Sequence, residues 1–262
     1  MIENEIEIEL GSSSIHATHH CATGERFVVV APPLFEENAR LRKVLVNLSR
    51  FLSRQGYDVV RFDYFGTGYS PGRYTDVTLD RAQTNLDEAI AFCRQLSSEE
   101  IWMIGVRFGG YLVLRTLPNV PDVRVVAWEP VMNPAAYIKE VLRSEIASQM
   151  LIYGEVRHDR DKLVEIIRAD GRLHVEGYCI SSALYDQLSG GPVLDADVLS
   201  PDADRTALVY WQSRREHKRW SSSDITSHWV DGIRFAYNHI RYLDPQPEPL
   251  YQQTLEELRK GG

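Results

Sequence analysis

The stretch Ile101-Trp102-Met103-Ile104-Gly105-Val106-Arg107-Phe108-Gly109-Gly110 decides how the rest of the chain is read. Its apolar opening reads as a buried strand, which runs into a glycine-flanked turn and then a helix reaching about Leu117. That is the layout of the G-x-S-x-G turn, a sharp strand-to-helix corner that lifts a serine nucleophile out of the end of a sheet. Here the central residue is Arg107. A guanidinium has five donors, no acceptor and a pKa above about 12, so it cannot attack a carbonyl. The corner is kept; its usual nucleophile is not.

Working upstream, Arg26 to Ala31 is a continuous apolar run of the kind buried on both faces of a parallel sheet. The loop Pro32 to Asn38 leads from it into a helix carrying Leu41, Val44, Leu45, Leu48 and Leu52 at helical spacing and stopping near Gly56. Asp58 to Asp63 is another buried strand, and Leu79 to Leu96 a second helix. Before all of these, Ile2 to Leu10 and Ser14 to Ala22 alternate as a half-exposed hairpin. Downstream, Val123 to Trp128, Thr206 to Trp211 and Ile225 to Val230 read as further strands, with a last helix from Leu250 to Leu258. Strands alternating with helices imply an α/β architecture with a mostly parallel central sheet and helices on both faces. Residues 1–262 are expected to form one such domain, with 130–172 inserted as a helical lid.

The net charge of −8 argues against a nucleic-acid binder, and no apolar run approaches the roughly 20 residues that span a bilayer. The acidic start has no export signal, so Cys21, Cys93 and Cys179 are expected to be reduced thiols of a cytoplasmic protein.

The elbow Gly105 to Gly109, together with the turn Asp63-Tyr64-Phe65-Gly66-Thr67-Gly68-Tyr69-Ser70, resembles the α/β-hydrolase superfamily. Within it the chain is most similar to the hydrolase-like proteins encoded with exosortase and exopolysaccharide systems, specifically the type-2 group. That group carries a P-P-F-x-E-E loop, matched by Pro32 to Glu37, and an arginine at the elbow, matched by Arg107. Trp128-Glu129-Pro130-Val131, Gly177-Tyr178 with Ser182-Ala183-Leu184, and Glu248-Pro249-Leu250 to Thr254 extend the likeness from about residue 26 to the C-terminus. It departs near the end, where the group's Pro-Phe-Trp stands here as Ile233-Arg234-Phe235.

A working hydrolase of this superfamily needs a nucleophile, then an acid, then a histidine, plus an oxyanion hole. Glu216 is the one carboxylate in the loop after the strand Thr206 to Trp211. Arg234 stands where the histidine is expected, leaving His228, inside a strand, and His239 as displaced candidates. Glu216 and His239 are thus the weak catalytic candidates. The pocket is expected to be formed by Arg107, Val106 and Phe108 of the elbow, Leu34, Phe35, Glu36 and Glu37 of the facing loop, and Arg234.

Arg107 has two readings. In one it is a structural ion pair with Glu36 or Glu37, Glu36 being favoured as nearer the strand end. In the other, the guanidinium and the positive end of the elbow helix bind a carboxylate, phosphate or sulfate. The two agree if the glutamate releases Arg107 when an anion arrives. Elsewhere, His16-Ala17-Thr18-His19-His20-Cys21 contains metal-ligand types, but an extended strand sends His16 and Thr18 to one face and His19 and Cys21 to the other. They are read as polar strand residues, and no metal or cofactor is expected. The basic run Arg214 to Arg219 reads as a solvated loop.

The leading expectation is therefore a hydrolase-fold binding or accessory protein for a small anionic or acyl ligand, in exopolysaccharide or envelope biosynthesis as the resemblance implies. The alternative is an esterase or acyl transferase with a non-standard catalytic arrangement, and a pure scaffold is a third reading. A homodimer or a pathway protein partner is left open.

Overall fold

β1 (Ile2–Leu10) and β2 (Ser13–Cys21) pair antiparallel, with Ile6 opposite Ala17 and Ile8 opposite Ile15. The computed structural model describes residues 2–11, 13–96, 100–211, 224–230 and 247–260. β2 also pairs antiparallel with β4 (Tyr57–Phe62). From there the pairing is parallel, through β3 (Arg26–Ala31), β5 (Ile101–Val106), β6 (Val123–Trp128), β9 (Thr206–Tyr210) and β10 (Thr226–Trp229). The resulting eight-stranded sheet has the order β1-β2-β4-β3-β5-β6-β9-β10.

The valine-rich strands are apolar throughout because each face meets its own core. Phe27, Val29 and Ala31 of β3 pack with α2 (Leu79–Leu96) and α3 (Phe108–Thr116) in one apolar layer. Val28 and Val30 join α1 (Phe35–Arg54) and α8 (Glu248–Arg259) in the other. In β6 the same alternation puts Val125 and Ala127 on the first face and Val126 and Trp128 on the second. Trp128 is tied to α8, where its Nε1 donates to Thr254 Oγ1 at 3.0 Å.

Between β6 and β9 the chain makes a long excursion. It contains α4 (Pro134–Tyr153), α5 (Arg160–Asp170), the hairpin β7 (Arg172–Val175) and β8 (Tyr178–Ser181), α6 (Ser182–Ser189) and α7 (Ala196–Leu199). Asn133 caps α4 by accepting from Ala136 N, Pro134 fits its first turn, and Gly154 ends it in the left-handed conformation. Asp159 and Gly171 bracket α5 in the same way.

Candidate functional site

Three parallel strands deliver the site at their carboxyl ends, where open α/β sheets place ligands. After β5 the chain turns at Arg107, whose backbone has φ 52° and ψ −112°. Such a left-handed φ is uncommon for a residue other than glycine and marks a constrained corner. Arg107 N–H donates to Trp128 O at 3.0 Å, and Arg107 O accepts from Tyr111 N and Val131 N, both at 3.1 Å. The corner is thereby stitched to the start of α3 and to the segment after β6. Its tightness depends on Gly109, where an added Cβ would stand 2.1 Å from Ala31 O and 2.7 Å from Pro32 O.

After β3, Pro32 to Leu34 bring the chain into α1, which starts at Phe35 with φ 55°. Glu36 and Glu37 therefore lie in a helical first turn and not in a loop, and successive side chains diverge by about 100° around the axis. That divergence decides the ion pair. Glu37 Oε1 accepts from Arg107 Nε at 2.8 Å, while Glu36 turns to Arg40, its i+4 neighbour, at 3.1 Å and to the Tyr178 hydroxyl at 3.4 Å. The preference for Glu36 as the arginine's partner is corrected to Glu37. Arg107 and Glu37 are mostly buried, with 14% and 16% of their side chains exposed.

After β6, Glu129 adopts φ 41° and is fully buried. Its N–H donates to Val209 O, its Oε1 accepts from Trp211 N at 2.6 Å, and its carbonyl accepts from Arg107 Nη1 at 3.2 Å. Across the gap, α4 supplies Tyr137, whose hydroxyl donates to Glu37 Oε2 at 3.0 Å and whose ring lies 5.8 Å from the guanidinium carbon. It also supplies Glu140, with an oxygen 3.8 Å from Arg107 Nη2. Arg107 is thus held by groups from three separate parts of the chain.

These groups line a cleft of about 710 Å³. Phe35, Tyr137, Val141, Leu151, Val175 and Tyr178 give it apolar walls, and Phe35, Tyr74, Tyr137 and Tyr178 pack ring against ring beside Arg107. Burial, reinforced by Glu37, pushes the Tyr137 phenol far above its usual range, and burial with Glu36 raises Tyr178. Both phenols remain neutral donors at any ordinary pH. Arg40, Arg107 and Arg143 face Glu36, Glu37, Glu140 and Glu176, so the cleft has no surplus of positive charge. Its two serines donate inward, Ser144 to Val141 O at 2.8 Å and Ser148 to Glu176 at 3.3 Å. No histidine lines the cleft among the described residues.

Of the residues expected at the site from sequence, Arg107, Phe35, Glu36 and Glu37 line the cleft, whereas Val106, Phe108 and Leu34 have fully buried side chains. Glu216, Arg234 and His239 lie outside the described residues, as does the basic run Arg214 to Arg219. His228 points away from the cleft chemistry, its Nε2 lying 2.7 Å from Glu257 of α8. Sequence reasoning misses Tyr74, Tyr137, Tyr178, Glu129 and Glu140. Glu129 leaves one sign, a carboxylate directly after the wholly apolar run Val125 to Trp128.

No family model matches the sequence, and no curated protein matches it. Solved structures do. The chain is similar to Est1E from Butyrivibrio proteoclasticus, solved with ferulic acid, at 15% identity and a TM-score of 0.63, over 97% of this chain and 98% of that one. It is similar to α/β hydrolase domain-containing protein 10 from mouse at 11% identity and a TM-score of 0.59, over 99% and 100%. A haloalkane dehalogenase, DatA from Agrobacterium tumefaciens, matches at 14% identity and a TM-score of 0.55, over 98% and 97%. At these identities the likeness speaks for architecture and leaves activity to the site. With an eight-stranded, mostly parallel sheet, helices on both faces and a strand-to-helix corner at its carboxyl edge, this chain has the α/β-hydrolase fold.

Proposed function

We propose that this chain is a binding or accessory protein in which Arg107 replaces the nucleophile of a hydrolase elbow, and that its ligand is an acyl compound with an anionic head. The observation that carries this reading is Arg107 itself, at the corner where chemistry would occur, with its side chain bound to Glu37 and the Glu129 carbonyl. The charge balance of the cleft bears on the ligand. A bare anion gains no net attraction from three guanidiniums against four carboxylates, so a ligand head must take Arg107 from Glu37. Burial of an acyl chain against Phe35, Val141, Leu151 and Tyr178 would supply the offsetting free energy, at about 25 cal/mol per Å² of apolar surface. Val106, Phe108 and Leu34 back the pocket from the core. Residues 130–172 act as a lid, since α4 forms one wall of the cleft. A role in exopolysaccharide or envelope biosynthesis follows from the sequence resemblance.

The competing reading, an esterase or acyl transferase with an unconventional catalytic set, is favoured by Est1E, solved with ferulic acid bound, among the structural neighbours. Titration of the protein with octanoate and with octanol, followed by calorimetry, tests the proposal. Saturable octanoate binding that weakens at least tenfold in Arg107→Met, with octanol indifferent to that change, is expected. Equal binding by the variant, or fluorophosphonate labelling of a cleft serine with ester turnover, would overturn it in favour of catalysis.

A further inference from the structure

The sheet has a second cluster of reactive side chains at the end opposite Arg107. β2 ends at Cys21, and β4 begins at Tyr57, so this is where the parallel strands start and not where they finish. The period of two along β2 brings His19 and Cys21 to one face, and the β2–β4 register, His19 opposite Val60 and His20 opposite Val59, sets Asp58 beside them. The histidine-rich run is thereby divided. His16 lies against Glu5, His20 is fully buried, and His19, Cys21 and Asp58 alone converge among the described residues, with ligand atoms within 4.8 Å of one another.

The arrangement within this trio is directional. Asp58 is fixed first, its Oδ1 accepting from Ala22 N at 3.1 Å and its Oδ2 from Gly24 N at 2.6 Å. Oδ1 also lies 2.8 Å from His19 Nε2. A proton on Nε2 shared with this carboxylate leaves the lone pair on Nδ1, and Nδ1 lies 3.7 Å from Cys21 Sγ. A carboxylate that fixes the ring through one nitrogen while the other meets a cation is the usual support of a metal-bound histidine. Zinc–sulfur and zinc–nitrogen bonds of about 2.3 and 2.05 Å, at a tetrahedral angle, separate the two donors by about 3.6 Å. The observed 3.7 Å, also a hydrogen-bonding distance, accommodates two ligands on one ion. The Asn4 amide also reaches Sγ, at 3.4 Å, and turned over it offers Oδ1 as a third donor.

We infer that Cys21 Sγ and His19 Nδ1, with Asp58 orienting the ring, form a binding site for a borderline-soft divalent cation of the zinc class. Both ligands are partly exposed, so water can complete the coordination shell. The thiol loses its proton to solvent on binding, and the ion takes its place between sulfur and imidazole.

The experiment is a cobalt(II) titration of the chelator-treated full chain. A near-ultraviolet thiolate-to-cobalt band that saturates at one equivalent and is bleached by zinc is expected. The band should vanish in Cys21→Ser, persist in Cys179→Ser, and need 10–100-fold more cobalt in Asp58→Asn. A parallel measurement needs no variant: zinc should protect Cys21, and not Cys179, from iodoacetamide, read by peptide mass. Absence of the band, its survival in Cys21→Ser, or unprotected alkylation of Cys21 at saturating zinc would each overturn the assignment.

Discussion

Arg107 combines two costs in one residue. Its left-handed backbone carries strain of about 1–3 kcal/mol for a side chain other than glycine, and its guanidinium sits where only 14% of the side chain meets solvent. Glu37 answers the second cost, which makes removal of either partner worse than removal of both. Glu37→Gln alone should lower stability by about 2 kcal/mol, less than the 3–5 kcal/mol of a fully buried pair because both groups retain some water. Adding Arg107→Met to Glu37→Gln should restore part of that loss, since the introduced amide oxygen can still accept from the Tyr137 hydroxyl. Urea midpoints of the four proteins check this, and a double variant as weak as the sum of the singles would end the argument. The same residue bears on catalysis. Arg107→Ser should not yield appreciable ester hydrolysis, because a serine hydroxyl needs a neighbouring base and no histidine lines the cleft among the described residues. Turnover of a short-chain nitrophenyl ester well above the parent protein would reveal a base supplied from elsewhere in the chain.

The elements show why some of this is legible in the sequence and some is not. Valine runs such as Val28-Val29-Val30 announce burial on both faces, and the two apolar layers around β3 are that pattern realised. The corner at Arg107 is equally readable, since the flanking glycines are required by close backbone approach. The start of α1 is not. Pro32, Pro33 and the charged pair after them suggest a loop through Asn38, yet the helix begins at Phe35 and so exchanges Glu37 for Glu36 at the arginine. Tyr137 and Tyr178 are illegible for another reason, as they reach Glu37 and Glu36 from 100 and 142 residues away and no local pattern encodes that contact. Packing of α3 against β3 also carries a prediction. Gly109→Ala would drive a methyl group to 2.1 Å from Ala31 O, a backbone atom that cannot yield without shifting β3. A loss of at least about 3 kcal/mol, or failure to fold, is expected. At Gly171, which has φ 71° and open space around its Cβ position, alanine should cost only about 1 kcal/mol. Similar melting temperatures for the two variants would mean that α3 can move off the sheet.

For the whole molecule the most telling buried group lies far from the cleft, on the flank where the N-terminal hairpin meets α1. His20 is fully buried in β2, and burial lowers its pKa to about 4. Its neighbours pull in both directions: Glu3 of β1, 3.8 Å from Nδ1, favours the proton, while Arg61 of β4, Arg50 of α1 and His19 oppose it. The unfolded chain takes up this proton near pH 6.5, so between about pH 6.5 and 4 the unfolded state holds more protons than the native one. Stability is therefore fully present above that window and falls as pH drops through it, by on the order of 3 kcal/mol at its lower end. Glu3, held below the usual carboxylate range chiefly by its hydrogen bond to Arg50, adds a loss only at more acid pH. The interval from pH 6.5 to 5 thus separates the histidine's loss from that of Glu3. Urea midpoints across that interval should decline in the parent protein and stay nearly level in His20→Phe, which keeps a planar ring and cannot titrate. Parallel slopes in the two proteins would show that the hairpin admits water to His20 and that acid lability of the fold arises at another group.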